Sequence, residues 1–177
     1  MKKLILNRNK GTLFWITGLS GSGKTSIAKE IFPSIKKRFG PTILISGDQI
    51  REIFKLKKYN TSSRLEYGLS FSKLAKFITD QNINIILNVI GMYNAVRKKN
   101  KTTIRNYIEI YIEADLKKVI KIGKKKIYKH NKKNIVGKDI KAELPKRPNI
   151  IIKNDFSKNI KDISSELIKK INNIVKK

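Results

Sequence analysis

Between Gly18 and Thr25 the chain reads Gly-Leu-Ser-Gly-Ser-Gly-Lys-Thr, the spacing G-x-x-x-x-G-K-[ST]. Together these residue types do one kind of chemistry. Glycines let successive backbone N–H groups converge on an anion, and a helix starting beside them adds its positive end. An ammonium at Lys24 reaches the outer phosphates, and a hydroxyl at Thr25 can ligate Mg²⁺. The expectation is an ATP site with Mg²⁺, built from Gly18, Leu19, Ser20, Gly21, Ser22, Gly23, Lys24, Thr25 and Ser26. A chance glycine-rich turn would not also be preceded by an apolar strand and followed by a helix.

Phosphoryl chemistry also needs a carboxylate. Many phosphate-loop ATPases and GTPases place an aspartate at the end of a buried strand to hold Mg²⁺. Here the buried run INIILNVI offers Asn88 in its place. The better candidate is Asp48, in SGDQIR, just past a second strand and facing the same sheet edge as the glycine loop. Its expected role is general base for a hydroxyl acceptor, with a water-mediated contact to the metal. Asp48 also suits the N-cap of a helix starting at Gln49, and both roles can hold at once.

The elements that must position these groups alternate in type. Thr12 to Thr17 reads as a strand, then a glycine turn, then a helix from about Lys24 to Arg38 in which Pro33 predicts a kink or an early end. Further strands are expected at Thr42 to Ser46, Ile83 to Ile90, Tyr107 to Ile112 and Ile150 to Ile152. Helical spacing covers Ser63 to Gln81 and, at the end of the chain, Ser157 to Val175. The pattern is that of an α/β domain with a parallel sheet flanked by helices. Lys117 to Lys141 stands apart, dense in lysine and poor in apolar residues; it reads as a solvated linker or, as preferred for so long a loop in a compact domain, as a lid over a polyphosphate.

Bulk properties narrow the classes. A chain of 177 residues with 40% hydrophobic content suits one compact domain. With no cysteine, disulfides, thiolate metal sites and cysteine nucleophiles are excluded, and the single histidine, His130, argues against histidine-based metal or triad chemistry. The N-terminal apolar run is too short for a signal peptide, and no run is long enough to cross a bilayer, so a cytoplasmic protein without a membrane partner is expected. The net charge is +28, from 41 Lys and Arg against 13 Asp and Glu, which points to anionic partners. The lysines are spread along the chain amid many Ile and Asn, as an AT-rich genome would produce, so nucleic-acid binding is the lesser reading.

WITGLSGSGKT, GDQIR and GKDIKAELPKRPNIII, in that order, resemble the adenylylsulfate kinase family, over about Leu13 to Ile152. The resemblance implies a P-loop kinase fold with a lid, commonly dimeric, that phosphorylates the ribose 3′-hydroxyl of adenylylsulfate with MgATP. By this resemblance Asp48 is the base, Arg51 and Arg64 hold the nucleotide acceptor, Lys125 is the lid lysine, and Asp139 and Pro145 belong to the segment after the lid. Ile90 and Gly91 fall in the segment beside the base.

The departures concentrate on the acceptor. Ser46 stands where the family has the first aspartate of D-G-D, and Gly91-Met92 replaces a Ser-Pro. Tyr67 replaces an asparagine, and the lid's Arg-Asp pair aligns near Ile122-Gly123, with Lys124 or Lys126 able to supply the charge. Asn60 and Ile135 replace the two aromatics that sandwich adenine in the family, which removes stacking worth about 1–3 kcal/mol per contact. A branch of the family with this pattern is the cytidine diphosphoramidate kinases of capsule biosynthesis, which use the same ribose hydroxyl on a cytidine nucleotide. That acceptor is the preferred expectation, with adenylylsulfate as the alternative. From other classes, the competitors are a nucleic-acid-binding protein with a vestigial phosphate loop and a plain ATPase.

Overall fold

The sheet strands are short and apolar on both faces, the signature of a parallel sheet covered by helices. The computed structural model describes residues 3–122 and 133–176. Strands β2 (Thr12–Thr17), β3 (Thr42–Ser46), β4 (Asn84–Val89), β5 (Asn106–Glu113) and β6 (Ile150–Lys153) form a parallel sheet in the order β3-β4-β2-β5-β6. A separate two-stranded pair, β1 (Leu4–Ile5) with β7 (Val175–Lys176), joins residues near the two termini. The helices are α1 (Lys24–Phe39), α2 (Gly47–Ile53), α3 (Thr61–Asp80), α4 (Asn94–Thr103), α5 (Leu116–Ile122) and α6 (Ile160–Ile174).

The two-residue period of β2 sorts its side chains into two cores. Phe14 and Ile16 join Ile27 and Ile31 of α1 and Leu167 and Ile171 of α6. Leu13 and Trp15 join Phe71 and Ala75 of α3 and Val96 of α4. All six residues of β2 are buried, so the loop that follows it rests on a rigid base.

Because β2 lies between β4 and β5, the connections leaving its C-terminal edge diverge and open a crevice there. Ser46 of β3 is in register with Asn88 of β4, and Thr17 of β2 with Val89. The glycine loop, the start of α2 and the end of β4 therefore meet on one edge.

Several expectations are corrected. The first helix does not end at Pro33 but continues to Phe39. Pro33 is on the exposed side, where water can satisfy the carbonyl left without its helical donor. The closing helix starts at Ile160, capped by Asn159, rather than at Ser157. Within the lysine-rich stretch, Lys117 to Ile122 lies in α5, and Val119 is buried. The sequence reading missed α4, whose buried residues are Val96, Arg97 and Asn100. A face with two polar residues out of three carries no apolar period.

Candidate active site

Gly23 is the N-cap of α1 with φ of +92°, a backbone conformation that favours glycine. A Cβ at Gly23 would lie 2.8 Å from Asn154 Nδ2. That amide donates to the Ser22 carbonyl at 3.0 Å, while Asn154 Oδ1 accepts from the Phe156 N–H at 3.1 Å. Asn154 therefore braces the glycine loop from below, and sequence reasoning did not find it. No side chain caps α1 and no acidic residue stands in its first turn, so its leading N–H groups are left for an anion. Lys24, 7% exposed, folds over the loop and donates to the Leu19 carbonyl at 2.5 Å and to Ser22 Oγ at 3.5 Å. Thr25 and Ser26 are exposed on the first turn.

The Thr25 hydroxyl oxygen accepts from Asn88 Nδ2 at 3.0 Å. Both residues line a small recess with Lys29, Leu44, Ser46 and Gln49. Among the described residues, no three carboxylates or histidines gather to hold a metal. The donors present fit a nucleotide-borne Mg²⁺ held by phosphate oxygens and the Thr25 hydroxyl, since Mg²⁺ keeps most of its water and takes few protein ligands.

Ser46, the departure from D-G-D, has a structural task. Its Oγ accepts from the Gln49 N–H at 3.2 Å, and Gln49 Oε1 accepts from the Ser46 N–H at 2.9 Å, a reciprocal capping box on α2. Ser46, not Asp48, is thus the N-cap. Asp48 sits exposed in the first turn of α2.

Asn60 is likewise a cap, its Oδ1 accepting from the Ser63 N–H at 2.9 Å at the start of α3. An aromatic stands one residue earlier. The Tyr59 ring lies 4.0 Å from the Arg51 guanidinium and 5.2 Å from that of Arg64, and the residue is 51% exposed. The Tyr67 ring also lies 5.0 Å from the Arg51 guanidinium. Arg51 also donates to the Lys58 carbonyl at 2.5 Å, and Arg64 to the carbonyls of Tyr59 at 2.7 Å and Asn134 at 2.9 Å. The structure thus gathers Arg51, Arg64 and Tyr67, with Asp48 among the charges acting on Arg64. Burial pulls the Arg64 guanidinium below its ordinary value, Arg51 adds to that, and Tyr93, Tyr59 and Asp48 oppose it. Tyr93 was also missed; it is 8% exposed, and its hydroxyl has no hydrogen-bond partner among the described residues. The signals for both were present, since each tyrosine adjoins a position already singled out.

Ile135 is only 2% exposed. Its N–H donates to Asp139 Oδ2 at 2.9 Å, and its carbonyl accepts from the N–H groups of Asp139 and Ile140. It is a turn residue with a buried side chain, and no open apolar face remains there for a base. Lys125, with Gly123, Lys124 and Lys126, lies outside the described residues. Ile90 and Gly91 are held from two sides. The Ile90 carbonyl accepts from the Thr17 hydroxyl, and the Gly91 carbonyl accepts from Arg97 at 3.0 Å. Arg97 is itself buried, paired to Glu109 at 3.3 Å and bonded to the Glu143 carbonyl at 2.5 Å. Glu143 belongs to the segment after the expected lid, so one guanidinium fastens that segment to the end of β4.

A braced glycine loop between a buried strand and an uncapped helix, on a parallel sheet of this order, defines a P-loop nucleotide-binding fold. The family model for adenylylsulphate kinase matches residues 10–153, and the chain belongs to that family. It is 34% identical to the cytidine diphosphoramidate kinase of Campylobacter jejuni, covering 93% of this chain and 98% of that one. It is 28% identical to the adenylyl-sulfate kinase of Clostridium kluyveri, covering 86% and 79%. Among solved structures, the Mycobacterium tuberculosis APS kinase in complex with AMPPNP and APS has a TM-score of 0.81 at 21% identity, covering 92% of this chain and 98% of that one, a likeness of fold. The protein is an ATP-dependent phosphotransferase.

Proposed function

We propose that the protein transfers the γ-phosphoryl group of MgATP to the ribose 3′-hydroxyl of cytidine diphosphoramidate, in the assembly of a capsular polysaccharide. The observation that carries this reading is the nearly end-to-end similarity to a cytidine diphosphoramidate kinase. The site supports it from another direction. Asn60 and Ile135, at the family's two stacking positions, are a helix cap and a buried turn residue, while Tyr59 presents a half-exposed ring beside two arginines. The base would stack on Tyr59, and the anionic end would draw Arg51 and Arg64 from the carbonyls they now hold.

In the reaction Asp48 takes the proton of the ribose hydroxyl. The hydroxyl oxygen forms a bond to the γ-phosphorus as the bond from that phosphorus to the β–γ bridging oxygen breaks, leaving ADP. Lys24 moves from the Leu19 carbonyl to the outer phosphates, and the loop N–H groups hold the developing charge. The Thr25 hydroxyl would hold the Mg²⁺ brought with the nucleotide, which would supply neutralisation of the phosphate charge. The expected lid, narrowed by α5 to the part of the lysine-rich stretch after Ile122 and including Lys125, would exclude water as a competing acceptor. The reading takes the chain as one catalytic domain, homodimeric as the family resemblance implies and working in the cytoplasm. No helix among the described residues is long and apolar enough to cross a membrane.

The test is ADP release from MgATP with cytidine diphosphoramidate, with adenylylsulfate and with no acceptor, at matched concentrations. Turnover dependent on the cytidine compound is expected. Turnover with adenylylsulfate alone would replace this acceptor by the family's usual one. Acceptor-independent hydrolysis would reduce the protein to an ATPase, and steeply salt-dependent binding of generic DNA or RNA without turnover would favour the vestigial-loop reading.

A further inference from the structure

We propose that Asn88 is a positioning residue for the nucleotide's divalent cation, presenting the Thr25 hydroxyl to it and receiving one of its water ligands. The inference rests on the MgATP reading above and concerns how this chain holds the metal without a carboxylate.

Strand β4 is wholly buried, and both of its asparagines need a reason to be there. Asn84 has one, since its amide serves the Thr12 N–H and the carbonyls of Phe39 and Pro41. Asn88, 5% exposed, makes one bond, from Nδ2 to Thr25 Oγ1, and its Oδ1 has no hydrogen-bond partner among the described residues. That oxygen is not sealed in the core either; Asn88 lines the recess beside Thr25.

The other groups around the recess leave little choice. Ser46, in register with Asn88 on the next strand, and Gln49 are engaged with each other in the α2 capping box. Leu44 is apolar, and the Lys29 ammonium repels a bare cation. Among the residues of the recess, Asn88 Oδ1 and the Thr25 hydroxyl are thus the acceptors left over. The lysine disfavours direct contact of the ion with the recess, so contact with Asn88 would run through a metal-bound water. Meanwhile the Nδ2 donor turns one lone pair of Thr25 Oγ1 toward β4 and leaves the other for the metal. With neutral donors only, the cation arrives on the nucleotide and not before it.

The experiment measures Mn²⁺ binding to the ADP complex by electron paramagnetic resonance, and metal-free binding of fluorescent MANT-ADP separately. The proteins compared are the unaltered one, Asn88→Ala and Asn88→Asp. In Asn88→Ala, Mn²⁺ affinity should fall about tenfold or more with metal-free nucleotide binding unchanged, and in Asn88→Asp it should rise above the unaltered level. Unchanged Mn²⁺ affinity in Asn88→Ala overturns the proposal. So does an equal loss of metal-free MANT-ADP binding, which would mark a purely structural amide. If Asn88→Ala does not fold, Mn²⁺ affinity in Asn88→Asp no higher than unaltered overturns it alone. An unaltered protein that binds no ADP at all would instead sink the kinase reading beneath it.

Discussion

Replacing Tyr59 by alanine removes the one half-exposed aromatic face beside Arg51 and Arg64 among the described residues. A base stacked on an aromatic side chain is worth about 1–3 kcal/mol. Here the magnitude belongs in the lower half of that range. The Arg51 guanidinium, 4.0 Å from the ring, covers part of it, and the family's second stacking position holds the buried Ile135, so one face is offered rather than a sandwich. About 1–2 kcal/mol corresponds to a loss of roughly 5- to 30-fold in kcat/KM for the acceptor. Losing two cation–π contacts of about 0.5–1 kcal/mol each should cost stability as well, which a thermal melt would show. Tyr59→Phe separates the two roles of the residue, because the hydroxyl makes no hydrogen bond among the described residues and the ring is retained; it should behave as the unaltered protein. The assay is coupled ADP release with acceptor titrated at saturating MgATP, then with MgATP titrated at saturating acceptor. An unchanged acceptor kcat/KM in Tyr59→Ala, or an equal rise in the KM for ATP, would refute the stacking argument.

Asp48→Asn keeps the shape of the first turn of α2 and removes the proton acceptor. kcat should fall by about 10²- to 10⁴-fold with MANT-ATP binding nearly intact, and undiminished turnover would take Asp48 out of the mechanism. Arg97→Met leaves Glu109 charged and buried without its partner, which should cost about 3–5 kcal/mol in urea denaturation and weaken acceptor binding through the freed Gly91 carbonyl. Burial already pushes the Glu109 carboxyl above its ordinary value, against the pull of Arg97. Removing Arg97 raises it further, so the folded variant takes up a proton that the unfolded chain has lost. Its deficit should therefore be smallest below the ordinary carboxylate range and grow as pH rises through the raised value; a pH-independent deficit would mean that Glu109 is not the source.

The phosphate loop was legible because its chemistry is contiguous. Eight residues in order specify the turn, the ammonium and the hydroxyl, and the flanking strand and helix are visible as a switch from continuous apolar residues to helical spacing. The sheet strands were legible for the same reason, each expected within a residue or so of where it lies. Helix α4 was not, since its inward face is Val96, Arg97 and Asn100, and a buried arginine cannot be told from a surface one until Glu109 is brought against it by β5.

Ser46 and Asn60 show the limit most clearly. In the sequence both read as losses, an aspartate and an aromatic gone from their places. In the fold both are helix caps, because capping depends on an extended backbone just before a helix, which residue type suggests but does not set. The aromatic ring that the structure places beside Arg51 and Arg64 is instead Tyr59, since an alignment compares positions in order while packing compares surfaces in space. What the sequence by itself determined was the class of reaction, held in a short run of residues whose spacing is their geometry. The proposed acceptor side draws on α2, the turn before α3, the end of β4 and the turn near Asn134. Residues so far apart in the chain meet only when the parallel sheet brings its strand ends to one edge, and so the tertiary structure alone decided which side chains face one another there.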